Sequence, residues 1–341
     1  MASIDVAMLA FGGPSSVAEV GSFIETMTGA EPAPEALAAV VRRYEAIGGR
    51  SPLPEITARQ AAALQAAMVA QLGVEVRVRP GFLYSSPTVA ECLAELDGRD
   101  TVVLPMSPYS SRLTTGAYHA ALAVAGHDDL SFVDDWYADR RYLAALSQRI
   151  NETLDGADPN EFALLFTAHN VPLETVAEGD PYVEQLHQTV AQLLPALMPG
   201  DWRLAFQSKG RRGGEWLEPE AASAVRELAA AGWDKLLVVP IGFVADHVET
   251  LYDLDVELRE VAESCDMDYL RSRALNDSPH FIEALADIVI DHLAHRPLRG
   301  PVDLGRGGPF GSGGPFGSGD PFGPGGAAAS GGSSGPGDPL Q

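Results

Sequence analysis

Short apolar runs alternate with helical stretches along most of the chain, and this alternation constrains the fold more than any other feature. VAMLAF (6–11), FALLF (162–166) and LLVV (236–239) carry no polar interruption. Strands of that kind are buried on both faces, as strands of a parallel sheet covered by helices are. Strand-like segments fall at 6–14, 74–87, 101–111 and 130–137. Helical patterns fall at 17–27, 35–46, 56–72, 88–96, from about 114, and at 139–155. Thr57 is the expected N-cap of the 56–72 helix. The second half repeats the pattern. Strands are expected at 161–169, 202–210, 234–244 and 267–275, and helices at 180–197, 218–231, about 246–264 and 281–295. The expected fold class is α/β, with two Rossmann-like domains, each a parallel four-stranded sheet flanked by helices, and a ligand cleft between them. We place the domains at 1–144 and 145–298, with the last helix packing back.

From about Gly300 the composition changes. Residues 299–341 are rich in glycine, proline and serine, and Pro-Phe-Gly occurs at 309–311, 315–317 and 321–323. Such a segment cannot bury enough apolar surface to order itself. It is read as a disordered tail whose spaced phenylalanines could dock on an unknown protein partner.

Charge narrows the function. The 341 residues carry 23 basic and 47 acidic side chains, a net charge of −24. A surface of that sign repels nucleic acid and anionic lipid. The two cysteines, Cys92 and Cys265, cannot supply a four-thiolate cluster. No signal sequence opens the chain and no run of about 18 apolar residues crosses a membrane, so a cytoplasmic location is expected. The Gly-Gly-Pro at 12–14 lacks the G-x-G-x-x-G spacing, which argues against a dinucleotide site.

Two segments carry chemistry. FTAHNVP (166–172) is a buried strand that ends on His169. Ligands of doubly wound sheets bind outside the C-terminal ends of the strands, so this imidazole points at a binding site. PIGFVADHVETLYDLDVEL (240–258) spaces Glu249, Asp253 and Glu257 four apart, on one helix face. Asp246 and Glu249 also fit a D-x-x-E cap, the structural alternative for Glu249. Imidazole nitrogen with carboxylate oxygen suits Fe(II), Zn(II) and similar ions.

These segments resemble the type I ferrochelatases, which insert Fe(II) into a porphyrin. The resemblance extends through AFGGP, RYEAIGGRSPLPEITARQ (43–60), SFVDDWYADRRYL (131–143) and FQSKG…EWLEP (206–219), and covers about residues 5–296. It implies a bent macrocycle held in the interdomain cleft. His169 and Glu249 are then the catalytic pair and metal ligands, with Asp253 and Glu257 passing hydrated cations inward. Arg43, Tyr44, Ser51 and Tyr137 are the implied porphyrin clamps. Phe11 stands where many bacterial relatives have a tyrosine axial to iron. Met27 and Thr28 replace an arginine pair, Tyr109 replaces a histidine, and the cluster-binding cysteines of some members are absent. RYEAIGG, GFVADH and WY-x-D resemble the branch that uses coproporphyrin III and makes coproheme. The implied activity is a lyase step of haem biosynthesis with iron as substrate and neither an organic cofactor nor an iron–sulfur cluster. Alternatives are a protoporphyrin IX ferrochelatase, a chelatase for another divalent metal, and a non-catalytic porphyrin or haem carrier.

Overall fold

The computed structural model describes residues 3–96, 101–210 and 213–295. In chain order the first half contains β1 (Ser3–Ala10), α1 (Val20–Thr28), α2 (Pro34–Ala46), α3 (Leu53–Leu72), β2 (Glu75–Phe82), α4 (Val89–Ala94), β3 (Val102–Pro105), α5 (Thr115–Val124), β4 (Ser131–Phe132) and α6 (Arg140–Leu154). The second contains β5 (Ala163–His169), α7 (Leu173–Ala177), α8 (Tyr182–Leu197), β6 (Asp201–Gln207), α9 (Ala221–Ala230), β7 (Lys235–Val239), a π-helix (Glu249–Leu258), α10 (Arg259–Ser264), β8 (Asp268–Arg271) and α11 (Pro279–Ala294). The stretch 299–341 lies outside the described residues.

Both sheets are parallel and share one topology. Their orders are β2-β1-β3-β4 and β6-β5-β7-β8. In each, the chain leaves the first strand to one side and returns on the other, so the strand order reverses between β1 and β3 and between β5 and β7. Those reversals leave crevices at the strands' C-terminal ends. His169 is the last residue of β5, beside the turn that follows β7.

Alternate residues of each strand go to different cores, as a period of two requires. Ala7, Leu9 and Val103 pack outward against α4 and α5. Ala163, Leu165, Leu236 and Val238 do the same under α9 and α10. The opposite faces, Val6, Met8 and Leu104 on one sheet and Leu164, Phe166 and Leu237 on the other, belong to a single cluster with α3, α6, α8 and α11. The two halves therefore share one central core. The division expected at 144/145 falls inside α6, and α11 packs back on both α3 and α6.

Several local expectations need correction. The 56–72 helix begins at Leu53, with Pro52 as its N-cap residue, and Thr57 lies inside it with its hydroxyl donating to Leu53 O (2.9 Å). Proline at the helix start supplies the right φ and lacks an amide that would go unpaired, and the hydroxyl that serves this end is Ser51 Oγ, which accepts from Leu53 N (3.3 Å). The strands expected over 130–137, 234–244 and 267–275 are reduced to Ser131–Phe132, Lys235–Val239 and Asp268–Arg271. The helix expected from 246 begins at Glu249 and runs as a π-helix to Leu258.

Gly242, in the turn after β7, is a point of close approach. A Cβ there would lie 2.9 Å from Ala168 Cα and 2.9 Å from Ala168 Cβ. Gly242→Ala should therefore push on the strand that ends at His169 and cost about 1–3 kcal/mol. Urea titration checks this, and an unchanged midpoint would mean that the contact relaxes freely.

Candidate functional site

A cleft open to solvent, about 1190 Å³ with the solvent space of its mouth included, lies at the C-terminal ends of both sheets. Phe11, Gly12, Met106 and Ser107 reach it from the β1/β3 reversal, and His169 and Gly242 from the β5/β7 reversal. The lining is apolar at Phe23, Met27, Leu53, Val171, Phe243 and Val248, and it carries hydroxyl and amide groups at Ser51, Thr57, Gln60, Ser111 and Thr114. A largely apolar slot with a few polar groups suits a flat organic ligand.

His169 and Glu249 meet inside this cleft. His169 Nδ1 is 2.9 Å from Glu249 Oε2, and Glu249 is 9% exposed. Glu249 is turned away from the capping role: its N-cap residue is Val248, and no side chain caps the π-helix. Asp246, the other half of the expected cap, accepts instead from Thr250 Oγ1 (3.1 Å) and Asn276 Nδ2 (2.8 Å) and pairs with Arg271 (3.1 Å). Arg271 also grips Asp255 with two 2.6 Å bonds. These bonds tie the π-helix and the residues before it to β8.

Burial, the largest influence, favours a neutral His169 ring. The charge and hydrogen bond of Glu249, with a contribution from Asp253, outweigh it and raise the histidine's pKa. Burial likewise favours a neutral Glu249, but His169, with a contribution from His247, holds the carboxyl far below its usual range. The pair thus stabilises a proton on the imidazole while the carboxylate stays ionised.

Outward along the π-helix, Asp253 is buried and Glu257 is partly exposed. Asp253 Oδ2 accepts from Ser208 Oγ. Its Oδ1 accepts no hydrogen bond but lies 3.5 Å from Arg43 Nη1. Burial pushes Asp253 up from 3.8 to about 7, against the pull of Arg43 and with the repulsion of Glu249 and Glu257. Burial also raises Glu257, opposed by Arg43.

The expected clamps divide. Phe11, Tyr44 and Ser51 line the cleft, and Phe11 packs edge-on to Tyr84 with centroids 4.7 Å apart. Arg43 does not line it. Its guanidinium lies 3.5 Å from both Asp253 and Glu257 and sits over the Tyr252 ring. The physical reason is that two neighbouring carboxylates, Asp253 and Glu257, attract the nearest buried cation. Tyr137 also lies outside the lining, with its hydroxyl donating to Gln188 (2.7 Å) and its ring stacked on buried Tyr109. Sequence reasoning missed three contributors. His247 places Nε2 3.8 Å from Glu249 Oε2, Gln207 donates to the Glu249 carbonyl (3.0 Å), and Ser208 binds Asp253 with a left-handed φ of 58°. The His-x-Glu spacing at 247–249 and the strand end at 207–208 were the available signals.

Asp253 sets a stability test. Unfolded, it ionises near its ordinary 3.8; folded, near 7. A raised pKa contributes stability at low pH that is lost as pH rises between those values. Wild type should lose more stability than Asp253→Asn between about pH 4 and about pH 7. Urea titrations across that interval check it, and parallel curves would contradict the buried proton.

The comparisons with known proteins bear on the family and the fold. The chain matches the family model Ferrochelatase over residues 4–293. It is 32% identical over 296 residues to the ferrochelatase of Herpetosiphon aurantiacus, covering 83% of this chain and 97% of that one. It is 35% identical over 328 residues to the ferrochelatase of a Picosynechococcus strain, covering 87% and 84%. Among solved structures, CbiX, described as the terminal enzyme for biosynthesis of siroheme in denitrifying bacteria, aligns with a TM-score of 0.54 at 17% identity over 84% of this chain and 98% of its own. SirB from Bacillus subtilis with Fe3+ aligns at 0.53 and 12% identity, over 85% and 95%. At such identities the structural likeness shows a common fold alone. The family match spans both sheets and the whole cleft, and on it the chain is an enzyme of the ferrochelatase family.

Proposed function

We propose that this enzyme inserts Fe(II) into a porphyrin in haem biosynthesis, with coproporphyrin III as the preferred substrate and coproheme as product. The observation that carries the reading is the pair of half-buried His169 and buried Glu249 facing an apolar slot at both strand reversals. Metallation requires the macrocycle to lose two pyrrole protons. Glu249 engages Nδ1 of His169, so one pyrrole proton would be taken at Nε2, with the carboxylate stabilising the imidazolium that forms, and the second would leave to solvent through the open mouth of the cleft. Iron is a substrate and would approach along Glu257 and Asp253, whose oxygens bind divalent ions and release them readily. A cation arriving there displaces the Arg43 contacts and the proton that burial keeps on Asp253. The Ser51 and Thr114 hydroxyls in the lining support a substrate with several carboxylates, since hydroxyls donate to carboxylate oxygens. RYEAIGG and GFVADH support the coproporphyrin branch. The reading includes a cytoplasmic location and neither an organic cofactor nor an iron–sulfur cluster. Among the described residues no helix is long and apolar enough to cross a membrane.

The test is anaerobic Fe(II) insertion followed by absorbance, with coproporphyrin III and protoporphyrin IX side by side. Faster turnover of coproporphyrin is expected. Faster turnover of protoporphyrin would overturn the substrate assignment, and tight binding without turnover would indicate a carrier. His169→Ala and Glu249→Ala should each lower the rate at least ~100-fold. A proton acceptor must start neutral, so the acidic limb of the kcat profile should follow the raised His169 pKa. Glu249→Gln removes the charge that raises it and should move that limb to lower pH. A limb that stays in place would separate Glu249 from proton transfer.

A further inference from the structure

Asp180 lies in the turn between α7 and α8 and does not line the cleft, yet its buried carboxylate touches both of the cleft's sides. Oδ2 accepts from Ser111 Oγ (3.1 Å) and from the Arg112 amide (2.7 Å), both in the loop after β3. Oδ1 accepts from the Tyr182 amide (3.0 Å) at the start of α8. Tyr182 in turn donates its hydroxyl to the carbonyl of His169 (3.2 Å). Ser111, Tyr182 and His169 all line the cleft. The Arg112 side chain reinforces the join by donating to the carboxylate of Glu178 and to the Glu178 carbonyl (2.6 Å).

One oxygen of a single carboxylate thus holds the Ser111 side of the cleft lining, in the first half. The other holds the element that supports the histidine of the second. Hydrogen bonds to a buried carboxylate are stronger than neutral ones, and losing the acceptor leaves buried donors unpaired. A porphyrin is wide and stiff, so the distance between its anchoring wall and the imidazole decides whether its nitrogens meet that imidazole.

We propose that Asp180 is a positioning residue for metal insertion, setting the separation of the Ser111 side of the lining from His169. This rests on the function proposed above and deepens it. The two arms of the junction predict different kinetic losses. The Ser111 arm governs where the macrocycle sits, and the Tyr182 arm governs where the histidine sits.

The experiment measures kcat and KM for porphyrin and for Fe(II) in wild type, Ser111→Ala, Tyr182→Phe and Asp180→Asn, with a thermal melt of each. Ser111→Ala should raise the porphyrin KM about fivefold and leave kcat within about twofold. Tyr182→Phe should lower kcat about tenfold and leave the porphyrin KM within about twofold. Asp180→Asn should show both losses, and the KM for Fe(II) should hold in all three. Should Asp180→Asn fail to fold, the two single-arm variants still decide. Equal losses in kcat with falling melting points and constant porphyrin KM would reduce the junction to a structural role and overturn the proposal. Wild-type kinetics in Ser111→Ala and Tyr182→Phe would overturn it as well. A wild-type chain that inserts no iron into either porphyrin would instead overturn the function on which it rests.

Discussion

The contact between His169 and Glu249 joins the end of a central strand to the start of the π-helix, and the site depends on it. Neither group suits its surroundings alone. A buried carboxylate without a partner would take up a proton, and a buried imidazole would shed one. Together they reverse both tendencies, because each supplies the charge that the other lacks. Removing one partner leaves the other to change its protonation state or to stay charged without compensation, and either destabilises the fold. The surroundings reflect that demand. Arg271 and Asp246 anchor the π-helix region, Gln207 holds the carbonyl of Glu249, and Tyr182 holds that of His169.

The acidic face of the π-helix follows a different logic. Glu249 finds its counter-charge inside the cleft, whereas Asp253 and Glu257 share Arg43, which comes from the other half of the chain. One guanidinium cannot neutralise two carboxylates, and burial raises the pKa of both. The result is a row of oxygens with less positive charge than it can accept. The rarity of π-helices, and their frequent occurrence at functional sites, fit this placement.

Much of the architecture was legible because parallel strands buried on both faces must be apolar throughout. LLF (164–166) and LLVV (236–239) announce such strands directly. The position of His169 followed from the strand it ends. Thr57 shows where local signals mislead: a hydroxyl before an apolar helix resembles a cap, yet Pro52 had already started the helix. Asp246 and Glu249 match a capping box in spacing alone, and tertiary partners with opposite charge claimed both. The direction of Arg43 was not legible either. Nothing near residue 43 in the sequence says that the π-helix packs beside it. The π-helix also escaped detection, since the spacing of its acidic residues fits an ordinary helix equally well.

Sharing one central core has a consequence for how the molecule can move. Two lobes joined by a thin neck can swing apart to admit a ligand, but here the inner faces of both sheets are packed into the same apolar mass, and α11 ties the second half back to α3 of the first. Rotation of one half against the other would tear that mass open. A wide, stiff ligand must therefore enter through the existing mouth, past the loops that follow β1, β3 and β7. The repeated strand order suggests two separable units, yet either half alone would expose the apolar surface that the other now covers. The internal symmetry of the chain is one of topology, not of folding.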